Sequence, residues 1–131
     1  MGASEVELVL ELFRRFSAGG LDSSLELVAA DSEFVIPASM SAEPDVYRGH
    51  DGARRYFAGF EGLMDDLHWE PIETEEHGDV VIVRMLWCGR GIASGIEVKQ
   101  PGAVNVWVAD GKITRMHAHP DMETARAALG R

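Results

Sequence analysis

A chain of 131 residues that is 46% hydrophobic has one domain's length and enough apolar side chains for a sizeable core, so a single domain over 1–131 is expected. Its 22 Asp and Glu against 12 Lys and Arg give a formal charge of -10, which repels phosphate backbones and anionic headgroups and argues against nucleic-acid and membrane partners. Cys88 is the only cysteine, so an internal disulfide and any multi-cysteine zinc site are excluded; it reads as a small buried apolar residue in a reducing compartment.

The opening MGASEVELVLELFRRF carries acids where a signal peptide would carry basic residues. No apolar run approaches the ~20 residues a bilayer needs, and a cytoplasmic protein is expected. Ser4 and Glu7 form a capping-box pattern ahead of Leu8, Val9, Leu12, Phe13 and Phe16, which lie along one side of a helix that should stop at Gly19 and Gly20. Ser23 and Glu26 repeat the pattern before Leu25, Leu27 and Val28, and DSEFVIP (31–37) reads as a short strand ended by proline. After the polar loop ASMSAEPDVYRGH, Asp51 is placed to cap a third helix, in which Tyr56, Phe57, Phe60, Leu63 and Met64 recur at three and four residues.

The second half changes period. Strand-length apolar runs cover 68–74, 79–88, 92–98, 103–108 and 112–119, with HGD, GRG, KQPG and ADG as turn signals between them. Pro120 suits the first turn of a short terminal helix, PDMETARAAL, capped by Gly130. Helices first and an antiparallel meander after them predict an α+β domain whose sheet curls around the helices to bury their stripes.

With these elements in place, AADSEFVIP after two helices, YRGHDGARRYF opening the third, GRGIASGIEV across a hairpin, and DGKI followed by PD and a terminal LG resemble the SnoaL-like proteins of the nuclear transport factor 2-like superfamily. The resemblance spans nearly the whole chain. It implies a cone-shaped curved sheet wrapped around the N-terminal helices, with a mostly apolar pocket open at one end. Relatives include ketosteroid isomerases, polyketide cyclases, scytalone dehydratase and limonene epoxide hydrolases, so the fold by itself selects no reaction.

Carried over by position, the isomerase base falls on Ile36, the helix tyrosine near Leu12 or Phe13, and the second aspartate near Ala103. None of these side chains transfers a proton. The cyclase aspartate falls on Ala118 and its histidine near Val104 or Asn105, so that route is vacant as well.

The segment DGKITRMHAHPD raises a different chemistry. His117, His119 and Asp121 are two apart, which on a strand gives a facial two-histidine, one-carboxylate pattern. Thr114, Met116 and Ala118, the smaller and more apolar set, are expected to face the pocket instead, as the positions corresponding to Met116 and Ala118 do in the relatives. That leaves the histidines on the convex face, which in this superfamily commonly meets a second subunit. A carboxylate at the start of a helix is sufficient explanation for Asp121. No metal and no cofactor are therefore expected. His68 and His77 read as solvated residues flanking a strand, Ser94 as part of a bend, and His50 and Asp51 as parts of a helix start.

The same comparison places Val81, Val83, Met85 and Trp87 inside with Arg84 outside, and Asn105 and Trp107 inside on the next strand. The predicted ligand-binding set is Phe13, Phe16, Ile36, Phe57, Phe60, Val83, Met85, Trp87, Asn105, Trp107, Met116 and Ala118. Trp69 reads equally as a rim residue and as a pocket wall. Two functions stand. One is a domain that binds a small apolar or polycyclic molecule and acts on it with non-standard residues, Asp121 and His119 being the acid/base candidates. The other is a noncatalytic binding or dimerisation module. A homodimer is expected in either case.

Overall fold

The computed structural model describes residues 5–38 and 45–130. Ser4 of the expected capping box and residues 39–44 of the polar loop lie outside the described residues.

Helix α1, Glu5–Ser17, forms where the apolar period places it, and Val9, Leu12, Phe13 and Phe16 are its buried stripe. Glu5 and Glu7 occupy the first turn and Arg14 and Arg15 the last, matching the helix dipole at both ends. Gly19 ends it in a left-handed conformation (φ 83°), which lets the Gly20 N–H bond the Arg15 carbonyl at 3.0 Å. Helix α2, Leu21–Leu25, begins at Gly20, so Ser23 sits inside it and the expected Ser23/Glu26 capping box does not form. Strand β1, Val28–Ile36, is longer than the DSEFVIP segment.

Strand β2, Asp45–Arg48, pairs with β1, and helix α3, Gly49–Ala58, follows at once. Its N-cap is Arg48; Asp51 lies one turn further in, beside Arg54 at 3.3 Å, and does not cap. Gly52 permits α3 to rest on β2, since a Cβ there would lie 2.7 Å from the Tyr47 carbonyl carbon. The helix ends at Ala58 and turns carry the chain to β3, so Phe60, Leu63 and Met64 do not extend the helical stripe.

Four strands complete the sheet: β3 (Met64–His77), β4 (Val80–Gly91), β5 (Glu97–Ala109) and β6 (Lys112–His119). Of the expected strand over 92–98, residues 92–96 are instead the β4–β5 turn, with Ser94 Oγ accepting from the Ile96 N–H at 3.1 Å, and 97–98 begin β5. KQPG, expected as a turn, lies inside β5. Pro101 is tolerated there because β6 reaches only to Ala103, leaving residues 97–102 paired on one side. The order is β2-β1-β6-β5-β4-β3 in one curved, open sheet. It is mixed, because β1 runs parallel to β6 while every other pair is antiparallel.

One face of the sheet, here the inner face, carries α1 and α3. Val81, Val83 and Met85 of β4, Val104, Val106 and Val108 of β5, and Met116 and Ala118 of β6 join Phe13 and Phe16 in the main core. Ile113 takes the inner place expected for Thr114, because a bulge beside Trp107 and Val108 adds one residue to β6. Part of the outer face, around Ile82 and Ala103, is covered by the terminal helix α4, Met122–Ala127, whose Met122 and Ala125 pack there. Asp121 is its N-cap, accepting from the Thr124 N–H at 2.7 Å. Arg126 clamps the Glu75 carboxylate of β3 by donating from Nε and Nη2, holding it down at about 2 with help from His77.

Candidate functional site

Between α3, the start of β3 and the inner ends of β4 and β5 lies a cavity of about 530 Å³, within the size range of small-molecule sites. Its back wall is aromatic. Phe16 from α1 stacks on Trp69 of β3 with ring centroids 4.2 Å apart, and Trp69 meets the edge of Trp87 at 5.4 Å. Phe57 and Tyr56 of α3 stand edge to face at 4.9 Å, and Phe60 closes against Tyr56 at 5.4 Å. Such edge contacts fix ring orientation because ring edges are positive and faces negative. Ile36 and Ala118 form part of the floor, and Gly89 makes room for Met64 and Leu67, whose methyls lie 2.8 and 3.0 Å from where a Cβ would stand.

The polar atoms are few. Trp87 Nε1 is buried and has no hydrogen-bond acceptor among the described residues. Gln100 is paired with Trp87 across β4 and β5 and lines the same wall. At the rim Arg55 lies over the Tyr47 ring at 4.3 Å and is held by Asp45 at 3.1 Å. Burial pushes Tyr56 up to about 12, with Tyr47 adding to the effect, so its hydroxyl stays protonated and can donate. Cys88 also borders the cavity, but alternation along β4 turns its side chain to the outer face, where burial raises the thiol. The described lining residues include no carboxylate and no imidazole. The cavity therefore offers hydrogen-bond donors and an aromatic surface, and no group among them is a base at neutral pH.

Of the predicted ligand-binding residues, Phe16, Ile36, Phe57, Phe60, Trp87 and Ala118 line this cavity. Phe13, Val83 and Met85 are at most 1% exposed and pack behind it, and Met116 borders a separate void of about 40 Å³. Asn105 and Trp107 require correction. The register pairs Val83 with Val104 and Val81 with Val106, so the valines take the inner face and Asn105 and Trp107 the outer one. Trp69, left open between rim and wall, is a wall residue.

Asn105 lies under α4, donating through Nδ2 to the Ala125 carbonyl at 3.1 Å and toward His119 Nε2 at 3.3 Å. Both amide hydrogens are thus spent, and His119 accepts as a neutral ring protonated at Nδ1. The His119 and His117 rings stack at 4.3 Å. His119 and Asp121 consequently stand on the outer face, one beneath α4 and one capping it, and neither lines the cavity. His50 donates to the Val28 carbonyl at 2.8 Å and lines no part of it.

Burial, with His117 adding to it, holds His119 down from 6.5 to about 4. Between those values the unfolded chain binds a proton that the folded chain refuses, so stability is expected to fall as pH drops from 6.5 toward 4. The steepest slope from one such group is about 1.4 kcal/mol per pH unit. Urea unfolding across this range should show a shallower slope in His119→Gln; equal slopes in the two proteins would contradict the assignment.

The sequence profile of the SnoaL-like domain family matches residues 9–116. Among solved structures, TerC co-crystallised with polyporic acid is 22% identical, with 97% of this chain and 98% of that one covered at a TM-score of 0.79. SalBIII, described as an epoxide hydrolase/cyclase-like enzyme in pyran ring formation in the polyether salinomycin, is 22% identical over 88% of each chain, with a TM-score of 0.74. A putative SnoaL-like polyketide cyclase from Jannaschia sp. CCS1 is 24% identical over 95% of this chain and 90% of its own, with a TM-score of 0.71. No curated protein matches the chain. At these identities the structural neighbours establish the fold.

Proposed function

The chain belongs to the SnoaL-like domain family, and from there we propose that its cavity binds a flat, largely apolar molecule carrying a hydrogen-bond acceptor, without supplying a base to it. The observation that carries this reading is the buried, unpartnered Trp87 N–H inside an aromatic cavity of about 530 Å³. A buried donor left unmade costs about 1–3 kcal/mol, which a ligand acceptor would recover. Stacked and edge-on rings supply area for a planar ligand, and Gln100, Tyr56 and Arg55 add donors toward the mouth. Polyporic acid, the molecule co-crystallised with TerC, is a reasonable first probe.

The noncatalytic reading is favoured by Ile36, Ala103 and Ala118 standing at the transferred catalytic positions and by the absence of a base among the described lining residues. The experiment is a thermal-shift screen with polyporic acid and a panel of planar aromatic ketones, quinones and epoxides, followed by product analysis of each hit. Saturable binding of a planar compound with no turnover is expected. Turnover lost in Tyr56→Phe would replace the binding module with an enzyme using a neutral acid, and no hit among planar compounds would remove the reading.

We place the protein in the cytoplasm as a homodimer formed through the outer face of β5 and β6. Trp107 there is half-buried with the Arg115 guanidinium 4.8 Å from its ring centroid. No helix among the described residues is long and apolar enough to cross a membrane. A monomeric mass by light scattering at micromolar concentration would contradict the dimer.

A further inference from the structure

His68, Glu70 and Cys88 form a cluster that the binding reading does not use. His68 and Glu70 are two apart on β3 and so share its outer face, and the β3–β4 register sets Cys88 directly opposite His68. One possible ligand atom from each residue lies within 4.8 Å of the other two. The His68 ring is already fixed at its other nitrogen. Nδ1–H donates to the Asp66 carbonyl at 2.8 Å, and Nε2 is turned to Glu70 Oε2 at 3.0 Å.

That carbonyl is aimed by a bulge. The β3–β4 register shifts between Asp65 and His68, and Asp66 takes a left-handed backbone (φ 55°) that few residues other than glycine adopt. A histidine whose Nδ1–H is committed to a backbone carbonyl presents Nε2 as the ligating atom, the arrangement by which metal-bound imidazoles are usually oriented. Cys88 is 6% exposed, whereas the His68 and Glu70 side chains are 26% and 42% exposed. The cluster is therefore closed beneath by the sheet and open above.

We propose that His68 Nε2, a Glu70 carboxylate oxygen and the Cys88 thiolate bind a borderline divalent transition ion, with Zn²⁺ foremost. One nitrogen, one oxygen and one sulfur suit zinc, whereas magnesium and calcium take oxygen ligands throughout. Thiolate and carboxylate together neutralise the ion's charge, and solvent completes a fourth position. Zinc bonds of about 2.0 Å to nitrogen and oxygen and about 2.3 Å to sulfur require the three groups to close by side-chain rotation alone. Lys99 Nζ, 3.9 Å from Glu70 on an exposed side chain, swings into solvent when the ion enters. The ion would pin the outer edge strand β3 to β4.

The test titrates tag-free protein with Co²⁺ as a spectroscopic stand-in for Zn²⁺. One equivalent is expected to give a thiolate-to-cobalt charge-transfer band with four-coordinate ligand-field absorption, both bleached by Zn²⁺. Cys88→Ser should lose the charge-transfer band, His68→Gln and Glu70→Gln should each weaken affinity about tenfold or more, and Lys99→Ala should tighten it. No charge-transfer band in the parent, a band that survives Cys88→Ser, or unchanged affinity in both His68→Gln and Glu70→Gln would overturn the site. Should Cys88→Ser fail to fold, the exposed Glu70→Gln variant decides on affinity alone.

Discussion

Trp87→Ala is expected to weaken binding of a planar ligand by roughly 30- to 1000-fold, the range for truncating an aromatic side chain that anchors an interface. Two contributions are lost together. Trp87 is an inner residue of β4 opposite Trp69, and its removal takes away one wall of the cavity together with the buried N–H. Trp87→Phe separates them, since it keeps most of the ring and removes the donor. A neutral hydrogen bond contributes about 0.5–1.5 kcal/mol net, so a roughly 2- to 10-fold loss is expected for ligands with an acceptor and none for hydrocarbons of the same shape. Trp107→Ala, on the outer face, should leave affinity unchanged. Equal losses in Trp87→Ala and Trp107→Ala would contradict the placement of the site.

Phe13→Ala should destabilise the fold by about 3–5 kcal/mol, lowering the melting temperature by roughly 10–20 °C. Phe13 is 1% exposed, central in the α1 stripe, and meets Trp69 edge to face at 5.1 Å. Its loss leaves a void between helix and sheet that the twisted strands cannot close, because each inner residue is already packed on both sides. Phe60→Ala is the control: Phe60 lies past the end of α3 on the cavity wall, so truncation should enlarge the cavity at a cost of about 1 kcal/mol or less. Chemical denaturation of both variants checks the pair. A loss below about 1 kcal/mol for Phe13→Ala would mean that α1 is not clamped to the sheet as described.

The fold was legible where one face of an element is buried and the other wet. The α1 stripe indicates a single buried face, and Phe13 and Phe16 follow from it, whereas the inner set Val81, Val83, Met85 and Trp87 came from the resemblance. It failed on β5, where residues 102–106 are all buried because α4 covers the outer face. Alternation disappears in a strand buried on both sides, and only the register with β4 separates Val104 and Val106 from Asn105 and Trp107. The helix-like spacing of Phe60, Leu63 and Met64 misled for another reason. Those residues gather around the cavity from a turn and a strand start, which produces the same one-sided burial without a helix.

Six of the twelve predicted residues line the cavity, among them Phe16 of α1, Phe57 of α3 and Trp87 of β4. Gln100 was hidden by the reading of KQPG as a turn, and Tyr47 and Arg55 by the absence of any period in a four-residue strand followed at once by a helix. The His68, Glu70 and Cys88 cluster needs the β3–β4 register, because Cys88 is far from the other two in sequence. The pattern that the sequence did offer for metal, His117, His119 and Asp121, is divided by α4: Asp121 caps the helix and His119 is held beneath it by Asn105.

The three tryptophans provide the most direct test of the central claim, because Trp69 and Trp87 line the cavity while Trp107 lies on the opposite face. Their indole N–H signals can be followed in a two-dimensional ¹⁵N–¹H spectrum while a planar acceptor-bearing ligand is added. The Trp87 signal is expected to move downfield as its proton gains an acceptor, Trp69 to shift through ring currents, and Trp107 to stay in place. A shift of Trp107 with Trp87 and Trp69 unmoved would place the ligand on the outer face and contradict the account.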